Sequence, residues 1–108
     1  MARYLLIDSR DLREYRGSQY ILDLAASLKN KGNDVTLYLV ENGALAARKG
    51  SELGSTLTGL AKNGITILAE DISLKARGIS ETAEGVKTSN MDELADFIVS
   101  GSDKLMWY

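Results

Sequence analysis

Tyr4-Leu5-Leu6-Ile7-Asp8 runs four apolar residues into an acid, the pattern of a strand buried on both faces that opens into a loop at its carboxyl end. It reads as the first and central strand. Outward from it, Ser18 can cap a helix that places Tyr20, Ile21, Leu24, Ala25 and Leu28 on one face, with Lys29, Lys31 and Gly32 closing it. Asp34-Val35-Thr36-Leu37-Tyr38-Leu39-Val40 is β-branched and aromatic, a second buried strand. Strand, helix, strand predicts a right-handed parallel crossover.

The same alternation continues to Tyr108. Asn42-Gly43 is followed by the helical turn Ala44 to Lys49, so the pair reads as a strand-to-helix loop rather than a hairpin. Leu53, Leu57, Leu60 and Ala61 make the stripe of a second helix, stopped at Asn63-Gly64. Ile65 to Ala69 is a third strand, Ser73 to Arg77 a short turn, and Val86-Lys87-Thr88 a short fourth strand. Asn90 and Glu93 form a capping box for a helix presenting Met91, Leu94, Ala95, Ile98 and Val99; Gly101 ends it, and Lys104 to Tyr108 is a last strand. The expected architecture is α/β: a three-layer open sheet, mostly parallel, with helices on both faces, in a single domain over residues 1–108.

Thirteen basic against fifteen acidic residues give a net charge of −2, which favours neither nucleic acid nor membrane as a partner. Histidine and cysteine are both absent. That removes imidazole bases, thiol nucleophiles, disulfides and nearly all zinc or copper sites, so neither metal nor cofactor is expected. Neither Gly-x-Gly-x-x-Gly nor Gly-Lys-Ser/Thr occurs, so phosphate-cradling nucleotide chemistry lacks its loop. With a strand starting near Met1 and no apolar run approaching ~20 residues, the expectation is a soluble, cytoplasmic protein.

In such sheets ligands gather beyond the carboxyl ends of the strands, which here carry Asp8 to Gly17, Glu41 to Ala44 and Glu70 to Gly78. The candidate ligand-binding residues are Asp8, Ser9, Arg10, Glu41, Asn42, Glu70, Ser73 and Arg77. Arg10, Arg13 and Arg16 could grip an anion, but their interleaving with Asp11 and Glu14 favours a solvated or inter-subunit salt-bridged loop. Glu70 and Asp71 could act as an acid/base pair; capping the following turn is the simpler role. Ser73 has no histidine to activate it, only Lys75 or Lys62, and also reads as a cap. Trp107 and Tyr108 suit either core closure or contact with a neighbouring chain.

Taken in order, Tyr4 to Asp8, Leu22 to Leu39, Ala76-Arg77-Gly78-Ile79 and Val86 to Leu94 resemble the DsrE/DsrF-like family of small sulfur-relay proteins, which includes the Tus and DsrH subunits. The resemblance spans nearly the whole chain. It implies a parallel α/β fold, cytoplasmic sulfur transfer, and assembly as a homo-oligomer (trimer or hexamer) or with related subunits. It also implies a persulfide-carrying cysteine shortly before Ala-Arg-Gly, which falls on Ser73, and a second cysteine of some members, which falls on Glu70.

A hydroxyl cannot carry sulfane sulfur, so the chain is either a cysteine-less paralogue or carries a substitution at Ser73. The leading reading is a non-catalytic, oligomeric binding or complex-forming subunit. Alternatives are a small-molecule enzyme or an anion-binding module using the strand-end cleft. Catalysis is left open, with binding favoured over it. A cysteine placed at 73 would be activated by helix N–H groups and Arg77, provided Glu70 and Asp71 point to solvent.

Overall fold

The computed structural model describes residues 1–14 and 18–108; Tyr15, Arg16 and Gly17, and the Ser18 side chain with its expected cap, lie outside the described residues. The chain alternates strand β1 (Arg3–Asp8), helix α1 (Ser18–Asn30), β2 (Asp34–Leu39), a 3-10 segment (Glu41–Ala47), α2 (Gly54–Lys62), β3 (Thr66–Glu70), α3 (Asp71–Ala76), β4 (Val86–Ser89), α4 (Met91–Asp96), a π-helical turn (Phe97–Gly101) and β5 (Lys104–Trp107). The strands form one sheet in the order β4-β3-β2-β1-β5. All four pairings among the described residues are parallel.

The α/β open sheet expected from the alternation is therefore present. The middle position belongs to β2, however, and β1 lies beside it, flanked by β5 on its other edge. Strand order reverses between β1 and β5, so the crevice at the switch point lies beyond the ends of those two strands.

The two sheet faces are covered unequally. Leu6, Leu37, Leu39, Ile67 and Ala69 pack with Ile21, Leu22 and Ala25 of α1, the alanines of the 3-10 segment, Leu57 of α2 and Leu74 of α3. On the opposite face Leu5, Ile7, Tyr38, Val40 and Leu68 pack with Leu94 of α4 and the half-buried Phe97. Tyr38, fully buried, donates its hydroxyl to the Asn90 carbonyl at 2.9 Å and lies 2.9 Å from Ser89 Oγ, tying β2 to the start of α4.

Two helical stripes differ from expectation. In α1 the buried face is centred on Ile21, Leu22 and Ala25, which leaves Tyr20 at its margin and 58% exposed. In α4 only Leu94 of the expected stripe is buried, whereas Met91, Ala95, Ile98 and Val99 are exposed. For Ile98 and Val99 the cause is local: α4 ends at Asp96 and the π turn changes the angular step, carrying both off the core while Phe97 stays against it.

Asn90 does cap α4, its Oδ1 accepting the Glu93 amide at 2.9 Å. Glu93 departs from the capping box, accepting the Ser89 hydroxyl at 2.9 Å instead. Because Leu94 joins α4 to the second face, Leu94→Ala is expected to cost about 2–3 kcal/mol of stability. Chemical denaturation with and without the substitution measures this directly.

Candidate functional site

The eight residues expected at the strand ends form two groups on that edge, joined by the 3-10 segment. The first lies at the switch point. Ser9 follows β1 and donates both its amide and its hydroxyl to the Tyr108 carbonyl, at 2.9 and 3.1 Å. The Arg10 guanidinium stands 5.3 Å from the centre of the Tyr108 ring, a cation–π distance. Asp8 is fully buried between them and the 3-10 segment, accepting the Arg10 amide on Oδ1 at 3.3 Å. In the following loop Asp11 is buried and paired with Arg13 at 2.9 Å. That ion pair is made within the loop itself, where a solvated or inter-subunit one was expected; Arg16 lies outside the described residues.

The second group is built on α3. Glu70 is its N-cap, accepting the Ile72 amide at 2.9 Å, the Ser73 amide at 3.0 Å and the Ser73 hydroxyl at 2.5 Å. Burial acts to raise the Glu70 pKa. Hydrogen bonds from the Ser73 hydroxyl and the two amides outweigh it and hold the carboxyl below its ordinary value.

The Ser73 oxygen is engaged on both sides, because it also accepts the Glu41 amide at 2.9 Å. Glu41 adopts a positive φ of 51° at that point. From the other end of α3, Arg77 donates to the Ser73 carbonyl at 3.1 Å and to Asn42 Oδ1 at 3.0 Å, with Glu41 Oε2 at 3.5 Å. Glu41 is mostly exposed, so this ion pair adds little; the Asn42 bonds fix the position of Arg77.

The link between the groups is Gly43. A Cβ added there would overlap the Asp8 main-chain oxygen and sit 2.7 Å from Asp8 Oδ2, so only glycine allows the segment to lie so close. Nothing in the sequence beyond Asn42-Gly43 after a strand pointed to this contact. Along α3 and the loop after it, a groove of about 510 Å³ is lined by Asp71, Leu74, Lys75, Ile79, Ser80 and Thr88, among others. Of these, sequence reasoning weighed Asp71 and Lys75, and in other roles.

A five-stranded all-parallel α/β sheet with a short capped helix after its third strand defines the class. The family model described as DsrE/DsrF-like family matches residues 2–108, and the chain belongs to that family. Among solved structures, the ychN protein from E. coli superposes with a TM-score of 0.86 at 21% identity, each chain covered over 100% of its length. A protein of unknown function, MTH1491 from Methanobacterium thermoautotrophicum, superposes at 0.77 with 17% identity and the same coverage. These likenesses concern the fold. No curated protein matches the chain.

The geometry reverses the expectation for a thiol at residue 73. Activation required Glu70 to face solvent, whereas its carboxylate lies against the residue 73 side chain. In Ser73→Cys the sulfur would be buried beside a negative oxygen, and both conditions favour the thiol over the thiolate. The expected pKa is above the free value of ~8.5, with slower alkylation at neutral pH than in Ser100→Cys. Iodoacetamide rates across pH on the two variants measure it. Adding Glu70→Gln should bring the value down.

Proposed function

We propose that this chain is a non-catalytic, complex-forming member of the DsrE/DsrF-like family, acting in the cytoplasm as a homo-oligomer or beside related subunits, and not as a sulfur carrier. The observation that carries this reading is the state of residue 73. The chain has no thiol, and the hydroxyl at that position is consumed by Glu70 and the Glu41 amide. The cluster therefore shapes a surface instead of presenting a nucleophile.

Assembly is supported by the apolar residues left outside. Register sets Leu105 beside Leu5 and Trp107 beside Ile7, on the thinly covered face of the sheet. They remain 44% and 60% exposed. A large aromatic on an edge strand suits an interface with another chain better than it suits water. The same features fit either a trimer or a hexamer.

Binding of a small ligand is a second reading, favoured by the groove beside α3. Its floor is Leu74 and Ile79, and its rim carries hydroxyls and charges of both signs. The same groove would serve an enzyme or an anion-binding module.

Light scattering coupled to size exclusion should give a mass above the monomer's, lowered in Trp107→Lys; a monomer at micromolar concentration would overturn assembly. Incubation with a loaded persulfide donor should leave the intact mass unchanged. A sulfur adduct would overturn the non-carrier reading.

A further inference from the structure

Asp8 has been removed from water without being matched. Its side chain is fully buried, Oδ1 has the Arg10 amide, and among the described residues Oδ2 has no hydrogen-bond partner. A carboxylate in that position leaves one oxygen and most of a charge uncompensated, whereas a carboxylic acid has no charge to compensate.

Among the described residues, the charged groups around it do not change that balance. On its own loop Arg10 favours the ionised form, while Asp11 opposes it and is itself paired with Arg13. The 3-10 segment packed on Asp8 brings Glu41, which is turned to solvent and to Arg77. The neighbouring strands bring Leu39 and Val40 on one side and Tyr108, whose ring is under Arg10, on the other.

The segment that closes over Asp8 is the one that closes over Ser73. The Val40 amide donates to the Asp8 carbonyl at 2.9 Å, and Gly43, whose amide returns to the Val40 carbonyl at 2.9 Å, leaves no room for a side chain against Asp8. One residue after Val40, the Glu41 amide donates to the Ser73 hydroxyl.

We propose that Asp8 is a proton-operated latch: as the neutral acid it lets residues 41–47 close over it, and on ionising it drives that segment off, freeing the Ser73 hydroxyl from the Glu41 amide and uncovering the Glu70, Ser73 and Arg77 cluster. The latch acts on the same edge as the proposed binding role but rests on none of it, being a property of the isolated chain.

Burial, with Asp11 adding to it, raises the Asp8 carboxyl from 3.8 to about 7 against the pull of Arg10. In the open segment Asp8 meets water and titrates near the ordinary ~3.9. Opening therefore releases a proton. It becomes about tenfold more favourable for each pH unit between roughly 4 and 7, then levels off, because above the closed-state value both forms are ionised.

Hydrogen exchange at the Glu41 and Gly43 amides reads this opening, with the intrinsic pH dependence divided out and the centres of β1 and β2 as internal reference. In the unaltered chain the corrected rates should climb about tenfold per unit from about pH 5 and flatten past about pH 7, while the reference amides stay level. Asp8→Asn, which keeps the shape of the neutral acid, should abolish the climb. A flat profile in the unaltered chain, or the same climb in Asp8→Asn, would overturn the latch. Should that variant fail to fold, carbon-13 titration of the Asp8 carboxyl in the unaltered chain decides instead. A midpoint near 7 that coincides with the flattening of the Glu41 and Gly43 exchange rates supports the proposal; one in the ordinary aspartate range, or one near 7 with a flat exchange profile, ends it. Association is followed separately by light scattering, so loss of the latch and loss of the assembly reading are distinguishable.

Discussion

The Glu70 carboxylate is the fixed point of the carboxyl edge. It takes three donors from Ile72 and Ser73, and they support the first turn of a helix of only six residues, whose nucleation is otherwise unfavourable. Everything else on that edge is placed from there. Ser73, held by Glu70, receives the Glu41 amide and so helps to fix a non-glycine residue at positive φ, a conformation that costs of order 1–2 kcal/mol. Asn42 in turn locates Arg77, and the segment that Glu41 begins brings Gly43 against Asp8. The positions where the family resemblance implies cysteines are thus occupied by a capping acid and its hydroxyl partner, a structural pair where a reactive one is implied.

The unequal covering of the sheet explains where contacts with other chains are to be sought. One face is closed by α1, the 3-10 segment, α2 and α3; the other has α4 and Phe97. A parallel sheet is ordinarily buried on both faces. The edge strand β5 breaks that rule, since Lys104, Leu105 and Trp107 are exposed and only Met106 is half-buried against the first face. A neighbour over Leu105 and Trp107 would restore the second layer.

Much of the fold was legible because its decisive signals are local. The continuous apolar runs of β1 and β2, the Gly32 stop and the Asn90 cap each depend on a handful of adjacent residues, and each is present. The Ile98 and Val99 end of the α4 stripe was misread because wheel arithmetic assumes that the helix keeps its pitch, and here it passes into a π turn after Asp96. The candidate site was legible as a set of positions along one sheet edge but not as an arrangement. Glu70 as a cap is a contact three residues long and could be foreseen; the Ser73 bond to the Glu41 amide spans 32 residues and could not. The close approach of Gly43 to Asp8 likewise depends on where two strand ends meet.

Two buried carboxylates on this edge show how far surroundings decide the behaviour of one chemical group. Glu70 is given two amides and a hydroxyl, and its ionised form is the favoured one; Asp8 has, among the described residues, a single amide and no partner on its second oxygen, and its neutral form is favoured. The consequences for stability have opposite signs. For Glu70, whose folded value is depressed, the contribution is present above its ordinary 4.5 and is lost as pH falls. For Asp8, whose folded value is raised, the contribution is complete below 3.8 and is lost progressively as pH rises to about 7. Between them the edge is held tightest on the mildly acidic side and loosens from its Asp8 end as pH rises toward neutrality. Glu70, fully ionised there, keeps α3 in place while the segment across from it is released. The edge can then open as a hinge with one fixed side, because the acid that anchors it and the acid that yields titrate in different ranges.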